Sequence, residues 1–244
     1  MPTLTKHKIP ISDETIDALL SHLARYRLTV STAGAKLPQF SGCDIRSVKQ
    51  VLRVCRQRSL VDSAPLHSQQ RYWHLTERGA KHCGLTGDRI GPLSETAKIR
   101  AFALLHFCCL SDRPRHRLTA ADIVRNFPDL HRPGLPTGYY FDPEATGRIG
   151  LARVDAGQHG RWDRVVQSVR DDLGDHLRHL AFRRLIQAGR FEITLVTVLP
   201  QKADRIRDAV NQMPDAGGTR IQVVSIPELL PLIASASGKE VRTG

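Results

Sequence analysis

The stretch from Cys43 to Leu60, CDIRSVKQVLRVCRQRSL, constrains the fold of this chain more than any other. On a helix advancing about 100° per residue, Ile45, Val48, Val51, Leu52 and Cys55 gather on one side. The opposite side carries Arg46, Gln50, Arg53 and Gln57, with Lys49 at its edge and Ser47 nearby. A helix divided this way turns one face to a core and offers the other to water or to an acidic partner.

Its neighbours extend the pattern. Ser12 is placed to cap a first helix, with Asp13 and Glu14 in the opening turn and Ile16, Leu19, Leu20 and Leu23 on one face. A short segment, Ser31 to Leu37, stops near Pro38, and PQFSG turns into the long helix. LVDSA and RYWHL then predict two strands joined by PLHSQQ, followed by a helix start in LTERGAKH. The order is helix, helix, turn, helix, hairpin.

Over roughly residues 12 to 83 this order resembles a winged helix-turn-helix domain. RYWHLTERGA is similar to the second wing strand and final helix of many bacterial regulators. The resemblance implies that Arg46, Gln50 and Arg53 enter the major groove of double-stranded DNA, with Ser47, Lys49 and Gln57 beside them. Arg pairs well with guanine and Gln with adenine. His67, Gln69, Gln70 and Arg71 at the wing would touch phosphate or the minor groove. The alternatives are a solvated charged face, or a winged helix used for protein contacts.

Charge supports an acidic partner. The 244 residues hold 36 Lys and Arg against 24 Asp and Glu, a net +12. Arg, the cation better suited to phosphate and guanine, dominates the basic set. The seam GLTGDRIGPL, residues 84 to 93, predicts two domains, 1–90 for DNA binding and 91–244. Other classes fall away. The longest apolar run, Ala101 to Leu110, is too short to span a bilayer, and no secretion leader is visible at the start. Five cysteines without a CxxC predict reduced thiols and a cytoplasmic, nucleoid-associated protein. No GxGxxG, Walker-type loop, GxSxG or HExxH occurs, and no cofactor is expected.

The C-terminal part reads as a mixed α/β domain in the order α-α-β-β-α-β-α-β-α, giving an α+β protein overall. Its first helix, around KIRAFALLHFCCL, is apolar nearly all round and predicts a core helix. GYYFD and GRIGLARVDAG form a plausible hairpin around PEAT. Arg161 to Gln187 reads as one long helix whose apolar stripe, from Trp162 to Leu180, suggests a homodimer or partner surface. His176 and His179 on that helix are a weak metal pair, more simply a polar surface.

A hairpin bearing acids before a long helix and a further strand resembles the core of PD-(D/E)XK nuclease-like domains. Together with the winged helix, the chain is similar to replication-relaxation-type proteins of plasmids and mobile elements. The resemblance puts Asp142 at the first metal-binding carboxylate. The second motif, Arg153-Val154-Asp155, has Arg where the family carries a carboxylate and Asp where it usually carries Lys. An inactive site is therefore expected, with Arg153, Asp155 and Asp142 joined in a salt-bridge cluster. The rival is a metal-dependent nuclease using Asp142, Glu144 and Asp155. The reading that follows is a non-enzymatic regulator of a bacterial mobile element or defence-type locus, binding DNA as a dimer. A plasmid replication or transfer accessory role is the alternative.

Overall fold

The computed structural model describes residues 11–68, 70–85, 90–144, 147–155, 162–213 and 218–236. The chain mixes helices and strands in two compact units, residues 1–110 and 111–244. Among the described residues, no helix is long and apolar enough to cross a membrane.

In the first unit, α1 (Asp13–Tyr26) opens at Ser12, whose side chain accepts a hydrogen bond from the Thr15 amide. It buries Ile16, Leu19, Leu20 and Leu23. A single turn, α2 (Ser31–Gly34), and a 3-10 turn over Pro38–Phe40 lead to α3 (Ile45–Gln57). The Asp44 carboxylate caps α3 by accepting from the Arg46 amide at 2.8 Å. Strands β1 (Val61–His67) and β2 (Gln70–Leu75) pair antiparallel, and α4 (Glu77–His82) follows. Leu19, Leu20, Leu23, Val48, Leu52 and Cys55 are fully buried together. At about 1.5–3 kcal/mol for each large aliphatic side chain, this interlock is the main force holding α1 against α3.

Two features differ from the sequence reading. The PLHSQQ connection belongs largely to the strands, with a bulge between Pro65 and His67, so the hairpin is longer than expected. Thr29 also exchanges two backbone hydrogen bonds with Trp73, of 3.0 and 2.8 Å, adding a one-residue third rung beside β2.

The seam also moves. Helix α5 (Glu95–Leu105) and the π-helical turn His106–Leu110 belong to the first unit, not the second. The Leu93 amide donates to the Tyr72 hydroxyl at 2.8 Å. Lys98 reaches the Pro65 carbonyl and Glu95. The Gly/Pro-rich segment is thus a loop within a unit, because the helix after it is buried on nearly every side and completes that unit's core.

The second unit is built on a five-stranded sheet in the order β3-β4-β5-β6-β7. Its elements are β3 (His116–Arg117), α6 (Ala120–Asn126), β4 (Tyr139–Asp142), β5 (Arg148–Val154), α7 (Trp162–Arg178), α8 (Leu180–Gln187), β6 (Phe191–Thr197), α9 (Pro200–Asn211), β7 (Arg220–Ser225) and α10 (Leu230–Ala236). The pairs from β3 to β5 are antiparallel, and those from β5 to β7 are parallel. Ile149, Leu151, Phe191, Ile193 and Leu195 share one core with Val166, Val169 and Leu173 of α7 and Phe182 and Ile186 of α8. Gly150 is opposite Tyr140, whose ring lies where a Cβ would sit, 2.1 Å away.

The expected long helix is two. His179 is extended (φ −97°, ψ 120°) and separates α7 from α8. The break lets α8 turn so that Phe182 packs edge-on to His176 and Phe191, with ring centroids 4.5 and 5.5 Å away. Of the stripe that suggested assembly, Val166, Val169 and Leu173 are buried in the core with the sheet and Leu177 packs partly against it, whereas Trp162 and Leu180 are exposed.

Candidate nucleic-acid interface

Helix α3 is pinned by its apolar side, and its other side is left to solvent. Val48, Val51, Leu52 and Cys55 are at most 1% exposed. Arg46, Lys49, Gln50, Arg53 and Gln57 are exposed, and Ser47 is partly so. The Arg46 side chain is 91% exposed and lies 3.9 Å from Asp44, a distance that commits it weakly. Lys49, Gln50, Arg53 and Gln57 have no side-chain partner among the described residues. By contrast, Arg56 pairs with Asp62 at 3.2 Å and Arg58 with Asp13 at 3.0 Å.

Beside α3 the hairpin leaves a groove of about 840 Å³. Helix α3 contributes Ile45, Lys49, Arg53, Arg56 and Gln57, and the hairpin contributes Ser63, Gln70, Arg71 and Trp73, with Ser31 and Thr32 at its border. Four cations line this concavity and no carboxylate does. Arg71 is held in place, its Nε donating to Ser63 Oγ at 3.2 Å and its Nη2 to the Ser63 carbonyl at 2.7 Å.

Of the residues expected to meet DNA, the groove gathers Lys49, Arg53, Gln57, Gln70 and Arg71. Arg46, Ser47 and Gln50 lie on α3 outside the groove lining, and His67 is bonded to Gln70 at 3.2 Å across the bulged end of the hairpin. Gln69 lies outside the described residues. Sequence reasoning missed Arg56 and Trp73. Arg56 follows Lys49 by seven residues, two helical turns, and Trp73 follows Arg71 by two, one strand period, so both spacings were signals.

The second unit corrects the expected acidic cluster. Asp142 is the β-sheet partner of Arg148, seven residues before Asp155. At about 3.3 Å per residue the two carboxylates belong to ends of β5 roughly 23 Å apart. Each has its own partners. Asp142, 1% exposed, accepts from Arg113 at 2.8 and 3.0 Å and lies 3.4 Å from Arg115. Glu144 is 3.6 Å from Arg113. Asp155 meets Lys202 at 2.5 Å and Thr197 Oγ1 at 3.5 Å. Arg153 pairs side-on with Asp172 of α7 instead, donating from Nε at 2.6 Å and also from Nη2. The hydrogen-bonded Asp172 carboxylate raises the Arg153 pKa, holding the guanidinium charge even more firmly than usual.

His176 lies in the core and not on the polar helix surface that its spacing suggested. It is fully buried, and its Nδ1–H donates to the Asp172 carbonyl, which leaves Nε2 to accept from the Tyr139 hydroxyl at 2.5 Å. Burial pushes its pKa down, so the ring is neutral and both nitrogens are committed. Among the described residues, no three His, Cys, Asp or Glu side chains come together as a metal site. The chain matches no family model and no curated protein, so the reading rests on this geometry and charge.

Proposed function

We propose that the chain is a sequence-specific double-stranded DNA-binding protein whose first unit is a winged helix-turn-helix. In this reading it is a transcriptional regulator of a bacterial mobile element or defence-type locus and works as a dimer on two half-sites. The observation that carries the reading is the solvent face of α3, where Lys49, Gln50, Arg53 and Gln57 stand unpartnered beside a groove whose charged lining residues are all cations. A merely soluble surface has no need to leave its cations unpaired along one concave wall. The order α1, α2, α3, hairpin, with the Thr29–Trp73 rung beside β2, supports the winged-helix assignment. The nuclease alternative asks Asp142 and Asp155 to share a metal, and the β4–β5 register separates them.

Selection of duplexes from a random pool on the purified full-length protein tests the proposal. Enrichment of one defined site, bound with a Kd of about 10 nM or tighter in 0.1 M salt, is the expected result. Recovery of unenriched sequence with no measurable duplex binding overturns it.

A further inference from the structure

The two strips of α3 do different things. Taking Arg46 as origin, Gln50, Arg53 and Gln57 lie within about 40° of it, whereas Ile45, Lys49 and Arg56 lie about 60–100° round the axis. Only the second strip, together with Arg53 and Gln57, lines the groove against the hairpin. The hairpin wall includes Trp73, flanked by Ser63 and by Arg71, whose Nη1 alone is uncommitted. Cations on both walls with an aromatic ring on one of them match a polymer that alternates phosphate with a sugar. A purely anionic small ligand has no use for the indole, and an apolar one has none for four cations.

We infer that this groove holds the sugar–phosphate backbone of one DNA strand, with Lys49, Arg53 and Arg71 on its phosphates and the Trp73 indole against a deoxyribose. Arg46 and Gln50, outside the groove, are left for base edges. The inference rests on the DNA-binding reading and divides its work: the groove supplies affinity without sequence, and the Arg46 strip supplies discrimination.

The chain has two tryptophans, so Trp162→Phe leaves Trp73 as the sole tryptophan, excited selectively over the tyrosines at the red edge of its absorption. The full-length variant is titrated with a random-sequence duplex and with the selected site while acrylamide quenching is followed. Saturation with either duplex is expected to lower the quenching constant at least twofold. Lys49→Ala and Arg71→Ala, with melting curves recorded, should each weaken both duplexes about tenfold. Each should also reduce the log–log salt slope by about 1 and leave the selected-to-random ratio intact. Arg46→Ala should lower that ratio instead. Duplex binding with unchanged Trp73 quenching and wild-type salt slopes in both groove variants overturns the groove assignment alone. Absence of binding to any duplex overturns the DNA reading and this inference with it.

Discussion

Replacing Asp142 by Ala separates a structural carboxylate from a catalytic one. Asp142 is 1% exposed and serves two guanidinium groups. Their fates differ. The Arg113 side chain is 33% exposed and keeps Glu144 at 3.6 Å, so it loses one of two carboxylates in partial contact with water. Arg115, 7% exposed, loses its Asp142 contact and donates from Nη1 to two neutral acceptors, Ser111 Oγ at 3.2 Å and the Arg113 carbonyl at 3.1 Å. Removing one partner of a buried ion pair costs about 3–5 kcal/mol because the remaining charge is uncompensated. With Arg113 partly hydrated, the lower end applies, about 3 kcal/mol. For a unit of this size that is a fall in Tm on the order of 10 °C. Differential scanning calorimetry of the full chain reads it as a shift of the second unit's transition, with DNA affinity unchanged. An active-site carboxylate behaves oppositely, since removing self-repelling charge from an empty metal site relieves strain. An unchanged or raised Tm in Asp142→Ala refutes the ion-pair account.

Three further outcomes are expected. Burial, aided by Arg25, holds His22 down at about pKa 4, so it folds neutral against Thr29 Oγ1 at 3.1 Å. The unfolded chain takes up its proton first, so stability is full above pH 6.5 and falls by about 3 kcal/mol between pH 6.5 and 4. Urea titrations across that window check this, and a His22→Gln variant should lose that part of the slope. Gly79→Ala places a Cβ 1.9 Å from the Leu60 carbonyl oxygen, so α4 must move off the hairpin, and chemical denaturation should show a loss of at least about 2 kcal/mol. Arg46→Ala should weaken the selected DNA site by about 1–3 kcal/mol with the melting curve unchanged, measured by fluorescence anisotropy.

The parts of the molecule legible in its sequence are those where one period decides the outcome. Helix α3 was legible because Val48, Val51, Leu52 and Cys55 repeat at helical spacing with charges opposite, and β6 because FEITLVT is a short run dominated by aromatic, aliphatic and β-branched residues. The α7–α8 break was not, because no Gly or Pro marks His179; the break is selected by the packing of Phe182 on His176 and Phe191, a tertiary effect. The acidic cluster failed for a different reason. In an antiparallel hairpin the end of one strand meets the start of the next, so Asp142 faces Arg148 and never reaches Asp155. The cationic groove was half visible, since helical spacing places Lys49, Arg53 and Arg56 together. That Trp73 lies beside them depends on how the hairpin docks, which no local pattern encodes.

The single rung between Thr29 and Trp73 has a consequence for how the groove responds to an occupant. Trp73 is bonded on one side to Thr29 and on the other is paired with Ser63, so it runs as a central strand at the groove's root. A hinge there would have to break two amide hydrogen bonds at once, whereas the bulged end beyond Pro65 has no such brace. Root and tip should therefore differ in amide exchange, slow at Trp73 and fast at Ser68 and Gln70. The spacing between Lys49 and Trp73 is preset, so a ligand seated at the root meets walls already ordered and forfeits little conformational entropy. Only at the tip would adaptation to a particular partner carry an entropic cost.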